Sequence, residues 1–301
     1  MKRIGIIGVG LLGSAVAARL LRAKFEVKGY DTRPEQVNSL HARGLIAAAS
    51  VADVAAEADA VFTILPSLES VEATFLGTGG LIEAAPHSCT LIQMSTISPE
   101  LTRRLGAAAS AKGLAFLDAP MSGTSAMVER GDCAVFVAGD RAQAAACQTV
   151  FDAIAKKTVY AGDIGMASLA KLATNLLVGL NTAALAEAFV LGAKGGLAPA
   201  ALFEILKDSA ADSKMLEVRG PLMVSRRFDA QMKIDLFLKD FKLMLEEGRR
   251  LEVPLPLTSV IQQLATATAA AGRGDEDLAA IVTTFELLAG LETNRPSDKK
   301  D

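Results

Sequence analysis

The N-terminal stretch "MKRIGIIGVGLLGSAVAARLL" constrains the fold more than any other part of the chain. The apolar run Ile4, Ile6, Ile7 leads directly into Gly8, Gly10 and Gly13, a G-x-G-x-x-G spacing, and Ala15 to Leu21 has the composition of a helix. A second run, "FEVKGYD", ends on Asp31, eighteen positions beyond Gly13. With 25 glycines in 301 residues, the spacing alone carries little weight. Its context carries more, because strand, tight turn, helix, strand and acid in that order are what a dinucleotide cradle requires. Gly8 permits the turn, Gly10 lets a pyrophosphate approach the backbone, and Gly13 lets the helix pack on the strand. The helix N-terminus adds free N–H groups and a positive dipole facing the phosphates. Val9, Leu11 and Leu12 complete the cradle, and Thr32 and Arg33 follow the acid.

Strand-like and helix-like segments alternate as far as about residue 161. "RIGIIG", "FEVKGY", "DAVFTIL", "CTLIQM", "LAFLDA", "CAVFVAG" and "KTVYAG" read as strands; Pro34–Arg43, Ser50–Ala58, Leu101–Lys112 and Arg141–Ile154 read as helices. This alternation predicts an α/β domain with a mostly parallel sheet covered on both faces. Beyond Gly165 the strand signal stops, and an all-α domain is expected, with further helices near Ala198–Asp208, Leu236–Leu251, Leu257–Ala271 and Asp275–Leu291. The chain thus divides into a dinucleotide-binding domain (1–163), a helical domain (164–291) opening with a long helix over about 166–194, and a loose polar tail (292–301).

Bulk properties fit an ordinary soluble enzyme. Hydrophobic residues make up 51% of the chain, enough core for two domains, and a net charge of −3 argues against a nucleic-acid surface. Cys89, Cys133 and Cys147 are odd in number and lack C-x-x-C spacing, which argues against a disulfide framework or zinc site and for a reducing compartment. With only His41 and His87, no His-based metal centre is expected. The apolar N-terminus is accounted for by a strand, without a cleavage site or presequence composition, so a cytoplasmic location is expected.

Two further stretches carry chemistry. From Ile164 to Ala186, twenty-three residues, Lys171 is the single charged side chain. Ser168, Thr174, Asn175, Asn181 and Thr182 make the segment too polar to favour a membrane span. A lysine is most often a solvated surface residue. A solvated face, however, would carry more than one charge, so a lone lysine on an apolar helix points to a cleft where burial tunes an amine for proton transfer. Asn175 lies one turn further on the same face. In "FLDAPMSGTSAMVERGD", a strand ends at Asp118 and Ser122–Gly123 follows; at the carboxyl end of a parallel strand such a turn can bind a small anion, although Ser and Gly also favour plain turns.

Taken together, these stretches resemble the β-hydroxyacid dehydrogenase family over about residues 2 to 290. "GVGLLG" is similar to the family's G-x-G-x-M-G, with Leu12 at the Met position. "DAPMSG" resembles D-x-P-x-S-G, "GDIGMASLAKLATN" resembles G-x-x-G-x-x-x-x-x-K-x-x-x-N, and "KDF" at Lys239–Phe241 resembles K-D-L. The resemblance implies a Rossmann domain, a long interdomain helix and a helical domain that mediates dimer or tetramer contacts. It makes Lys171 the catalytic lysine, Asn175 and the Ser122–Gly123–Thr124 turn substrate contacts, and Lys239 a group near nicotinamide and substrate. Leu65, Pro66 and Thr96 fall beside the cofactor. Departures fall at Thr124, where a second glycine is common, Met127, where alanine is common, Thr174, where the first of two asparagines is common, and Gln93, where an aspartate often stands.

The expected reaction is reversible hydride transfer between NAD(H) and a small 3-hydroxy acid or its semialdehyde, with 3-hydroxyisobutyrate as the type substrate and no metal. Asp31 favours NAD by accepting the ribose hydroxyls, while Arg33 leaves NADP open. The alternatives are an NADP(H)-dependent glyoxylate, succinic semialdehyde or tartronate semialdehyde reductase and, from a different class, a non-catalytic dinucleotide-binding module. An imine reductase usually lacks the lysine, and a phosphogluconate-type enzyme needs a longer helical domain and a basic phosphate cluster. A homodimer or homotetramer is expected.

Overall fold

The computed structural model describes residues 1–291; the polar tail read from residue 292 lies outside the described residues. The chain divides into two units, the first Met1–Leu172 and the second beginning at Ala173.

The first unit runs β1 (Arg3–Ile7), α1 (Leu11–Arg22), β2 (Glu26–Tyr30), α2 (Pro34–His41), β3 (Ile46–Ala47), α3 (Val51–Ala55), β4 (Ala60–Thr63), α4 (Leu68–Leu76) and α5 (Leu81–Ala84). It continues with β5 (Thr90–Gln93), α6 (Pro99–Ala111), β6 (Ala115–Asp118), β7 (Met121–Ser122), α7 (Ser125–Arg130), β8 (Ala134–Gly139), α8 (Arg141–Ala146), α9 (Gln148–Ile154) and β9 (Lys157–Gly162). The strands form one sheet in the order β3-β2-β1-β4-β5-β6-β8-β7, with β9 also pairing β8. From β3 to β6 all pairings are parallel; β8 runs antiparallel to β6 and β7.

Side-chain alternation along the strands feeds two cores, one on each face of the sheet. Ile4 and Ile6 of β1, Phe62 of β4, Ile92 of β5 and Leu117 of β6 join α1 and α9 on one face. Ile7, Val61, Leu91 and Phe116 of the same strands join α3 and α6 on the other. This explains why these strands are apolar throughout rather than alternating with polar residues. Each fully buried Ile, Leu or Phe stabilises the fold by about 1.5–3 kcal/mol relative to exposure.

α10 (Met166–Lys194) crosses from one unit to the other in sequence, so Lys171 belongs to the first and Asn175 to the second. Its buried positions recur at helical spacing: Ser168, Lys171, Asn175, Thr182, Ala186 and Phe189. The second unit adds α11 (Pro199–Lys207), α12 (Lys214–Ser225), α13 (Ile234–Arg250) and α14 (Pro256–Thr268), a short 3₁₀ turn at Leu278–Ile281, and α15 (Val282–Leu288). Two differences from the sequence reading have local causes. The expected helix 141–154 breaks at Cys147, which ends α8 and starts α9. The expected helix 275–291 begins as a 3₁₀ turn, capped by Asp277, whose carboxylate accepts the Ala279 N–H.

Candidate active site

Strands β1, β4, β5 and β6 are adjacent and parallel, and their carboxyl ends carry most of the first unit's candidate residues. β1 sits where the strand order reverses, with β2 on one side and β4 on the other. A crevice at such a reversal is the ligand site of doubly wound sheets.

The three glycines of the cradle do different work. Gly8 has φ +93°, and a Cβ there would lie 2.2 Å from the Ile64 carbonyl oxygen. At Gly13 a Cβ would meet the Gly8 carbonyl oxygen at 1.9 Å, so α1 rests on the turn itself. Around Gly10 there is room: the nearest atom a Cβ would meet is Arg33 Nη2, at 3.8 Å. Gly10 is also the N-cap of α1, and no side chain caps it. Leu11, 60% exposed, and Leu12 open the helix behind it. Uncapped amides beside an open glycine fit the pyrophosphate of NAD(P).

Asp31 follows β2 and is held at both oxygens. Oδ2 accepts the Val9 N–H at 2.8 Å and Oδ1 the Arg33 N–H at 2.9 Å. The Arg33 guanidinium curls back, its Nε 3.7 Å from Oδ1. Thr32 and Arg33 are exposed. At the neighbouring strand ends, the Leu65 N–H donates to Ser95 Oγ at 2.9 Å, and Ser95 Oγ donates to the Thr63 carbonyl at 3.3 Å. Gln93, fully buried, accepts the Ser95 N–H and donates to the Ser95 carbonyl. This clamp sets the loops that carry Leu65, Pro66 and Thr96. A carboxylate at position 93 would accept the N–H but not serve the carbonyl.

After β6, the two-residue strand β7 pairs with β8 and delivers Ser122 and Gly123. Gly123 has φ +149°, and a Cβ there would stand 2.8 Å from Cys133 Cβ. Thr124 is the N-cap of α7, its Oγ1 accepting the Met127 N–H at 3.3 Å. Its hydroxyl therefore already holds a helix end beside the turn.

Lys171 is buried, with 7% of its surface exposed. Asp118, fully buried at the end of β6, accepts the N–H groups of Gly165 and Ser168 and the Ser168 hydroxyl. Burial pushes its carboxyl up to about 6, against the pull of these donors.

In the second unit, Asn175 Nδ2 donates to Asp240 Oδ2 at 2.7 Å, and Lys239 Nζ lies 3.3 Å from Asp240 Oδ1. Asp240 sits on the buried stripe of α13 with Phe237, Phe241 and Met244. At Gly179 a Cβ would lie 2.7 Å from the Phe241 ring, so the small residue admits the edge-to-face Phe237–Phe241 pair. Asp240 is thus the group that orients both Asn175 and Lys239. Its signal in the sequence was a carboxylate at a core position of an amphipathic helix.

Residues 3–162 match the family model described as the NAD binding domain of 6-phosphogluconate dehydrogenase, and residues 165–285 match that of the NAD-binding of NADP-dependent 3-hydroxyisobutyrate dehydrogenase. The chain is 34% identical to 2-(hydroxymethyl)glutarate dehydrogenase of Eubacterium barkeri, covering 97% of each chain. It is 33% identical to L-threonate dehydrogenase of Cupriavidus necator, over 94% of this chain and 96% of the relative. A crystal structure of 3-hydroxyisobutyrate dehydrogenase from Salmonella typhimurium superposes with a TM-score of 0.85 at 30% identity, covering 94% of this chain and 99% of that one. Sheet, cradle and matches together define an NAD(P)-binding oxidoreductase. The chain belongs to the β-hydroxyacid dehydrogenase family.

Proposed function

We propose that the protein catalyses reversible oxidation of a small 3-hydroxy acid to its semialdehyde, with NAD as the preferred cofactor. The observation that carries this reading is Lys171, a buried amine on an otherwise uncharged stretch of α10. Bound NAD(P) supplies the hydride acceptor for oxidation and the donor for reduction. Lys171 takes the hydroxyl proton as the alcohol is oxidised and returns it to the oxygen in reduction, its charge stabilising the alkoxide. Ser122 and Gly123 hold the substrate carboxylate, and Asn175 and Lys239 are assigned to substrate contacts. The carboxylate of Asp31, fixed by two N–H groups, supports the NAD preference by repelling a 2′-phosphate. Exposed apolar side chains of the second unit, among them Leu177, Leu191, Ile205, Leu257 and Val260, support assembly into a homodimer or homotetramer. The three buried free thiols are in keeping with a cytoplasmic location.

The test is a panel of 3- and 4-hydroxy acids with NAD and NADP, and the matching aldehydes in reverse, run on wild type and Lys171→Ala. Lys171→Ala should bind NADH normally by fluorescence titration while turnover falls by at least ~10²–10⁴-fold. Lys171→Arg, which keeps the charge but does not release a proton near neutral pH, should stay inactive. Retention of more than about a tenth of wild-type turnover in Lys171→Ala would rule out the proton-transfer role.

A further inference from the structure

The N-terminus of α10 has an unusual cap. Its first turn holds no acidic residue, and the negative charge there comes from another element. Asp118, ending β6, accepts the Gly165 N–H at 3.1 Å and the Ser168 N–H at 2.9 Å on one oxygen, and the Ser168 hydroxyl at 2.8 Å on the other. Ser168 Oγ lies 2.9 Å from Thr102 Oγ1, and Thr102 donates to the Ser98 carbonyl at 3.0 Å. Ser98 caps α6, so a train of polar groups ties β6, α6 and α10 at one point.

A helix start is ordinarily served by a Ser, Thr, Asn or Asp on its own chain segment. A carboxylate with no solvent exposure is a costly substitute. What it supplies, and a local cap does not, is a fixed link between a strand end and the helix. Asp118 stands four residues before Ser122 on one side of that link, and Ser168 stands three residues, one helical turn, before Lys171 on the other.

We propose that Asp118 is a positioning residue: its carboxylate sets the height and rotation of α10, and with it Lys171, relative to the turn bearing Ser122 and Gly123. The proposal rests on the reading of Lys171 as the proton-transfer group. Misplacing a reacting group by an ångström can cost ~10²-fold in rate without disturbing ligand affinity.

The experiment compares full-length wild type, Asp118→Asn, Ser168→Ala and Lys171→Ala, using NADH titration and steady-state rates with the panel substrate turned over fastest. Asp118→Asn keeps the shape but removes the charge and leaves one acceptor oxygen in place of two: with that oxygen on the Gly165 and Ser168 N–H groups, its amide faces the Ser168 hydroxyl, which must turn from donor to acceptor. It should lower kcat by ~10–100-fold while substrate KM and NADH affinity stay within about threefold. Ser168→Ala, which keeps the backbone N–H and loses the hydroxyl, should move kcat in the same direction by less. Hydrogen exchange of the segment 165–171 should quicken in both. If Asp118→Asn does not fold, Ser168→Ala decides alone. Wild-type kcat in a folded Asp118→Asn or in Ser168→Ala overturns the proposal, as does a loss confined to KM or to thermal stability. Lys171→Ala separates the two readings: an active Lys171→Ala defeats the lysine assignment itself, whereas an inactive one beside fully active Asp118→Asn and Ser168→Ala defeats the positioning role only.

Discussion

Both oxygens of Asp31 accept backbone N–H groups, so its charge is immobile at the end of β2, and the Arg33 guanidinium is drawn toward it rather than left free for an anion. Asp31→Ser removes the fixed charge and releases Arg33. The ratio of kcat/KM for NADP over NAD should rise by about tenfold or more, the equivalent of ~1.4 kcal/mol. An unchanged ratio would mean that the adenosine end is read elsewhere. Asp118 gives a pH prediction with a definite sign. Its carboxyl sits at about 6 in the folded protein against 3.8 for an ordinary aspartate, so the folded state favours the neutral form. Its contribution to stability is therefore complete below about pH 4 and lost as pH rises through about 6. Wild type should lose stability relative to Asp118→Asn between those values, read as urea midpoints at stepped pH; a constant gap would show the carboxyl titrating normally. Asp118 and Asp240 stand in motif stretches the sequence shows, but how they and Ser95 build the site is not legible there, because each acts through partners far along the chain: Ser168, Asn175 and Leu65 respectively. Gly8, Gly10, Gly13 and Lys171 were legible because a local pattern, a spacing or a lone charge, carries their meaning.

At the scale of elements, α1 and its turn separate two kinds of glycine. Gly13→Ala drives a methyl into the Gly8 carbonyl, so α1 must lift off the turn. A stability loss of about 1–3 kcal/mol and weaker NADH binding should follow together. Gly10→Ala meets no protein atom within 3.4 Å and has φ −71°, a conformation alanine accepts. It should fold with stability unchanged to within about 0.5 kcal/mol, yet bind NADH at least about tenfold more weakly. Thermal melts and fluorescence titration on the two variants check the contrast; equal NADH affinity in Gly10→Ala and wild type would remove the pyrophosphate from the cradle. Seven strands were legible from apolar runs, whereas β3 and β7, two residues each, are too short to show a period. α12 is hidden in the sequence because Gly220 and Pro221 break its helical composition and its buried face includes Arg219, which donates to Asp277 at 3.1 Å. A charged residue on a buried stripe hides the helical pattern until its partner is known.

At the scale of the whole molecule, the second unit leaves Leu177 and Leu191 of α10, Ile205 of α11, and Leu257 and Val260 of α14 at 55% exposure or more. Light scattering at micromolar concentration should return two or four copies; a monomer would leave this apolar surface unaccounted for. The first unit shows the opposite economy, its sheet sealed by a core on each face. That sealing extends to the sulfur atoms. Cys89, Cys133 and Cys147 are all buried, and burial pushes the first thiol up to about 12 and the others to about 11. At neutral pH none presents a thiolate to an alkylating reagent. The natural protein is therefore already a blank background for site-directed labelling: a cysteine placed at an exposed position such as Lys112 would be the one thiol to take up a maleimide dye, with no native residue replaced to silence the rest.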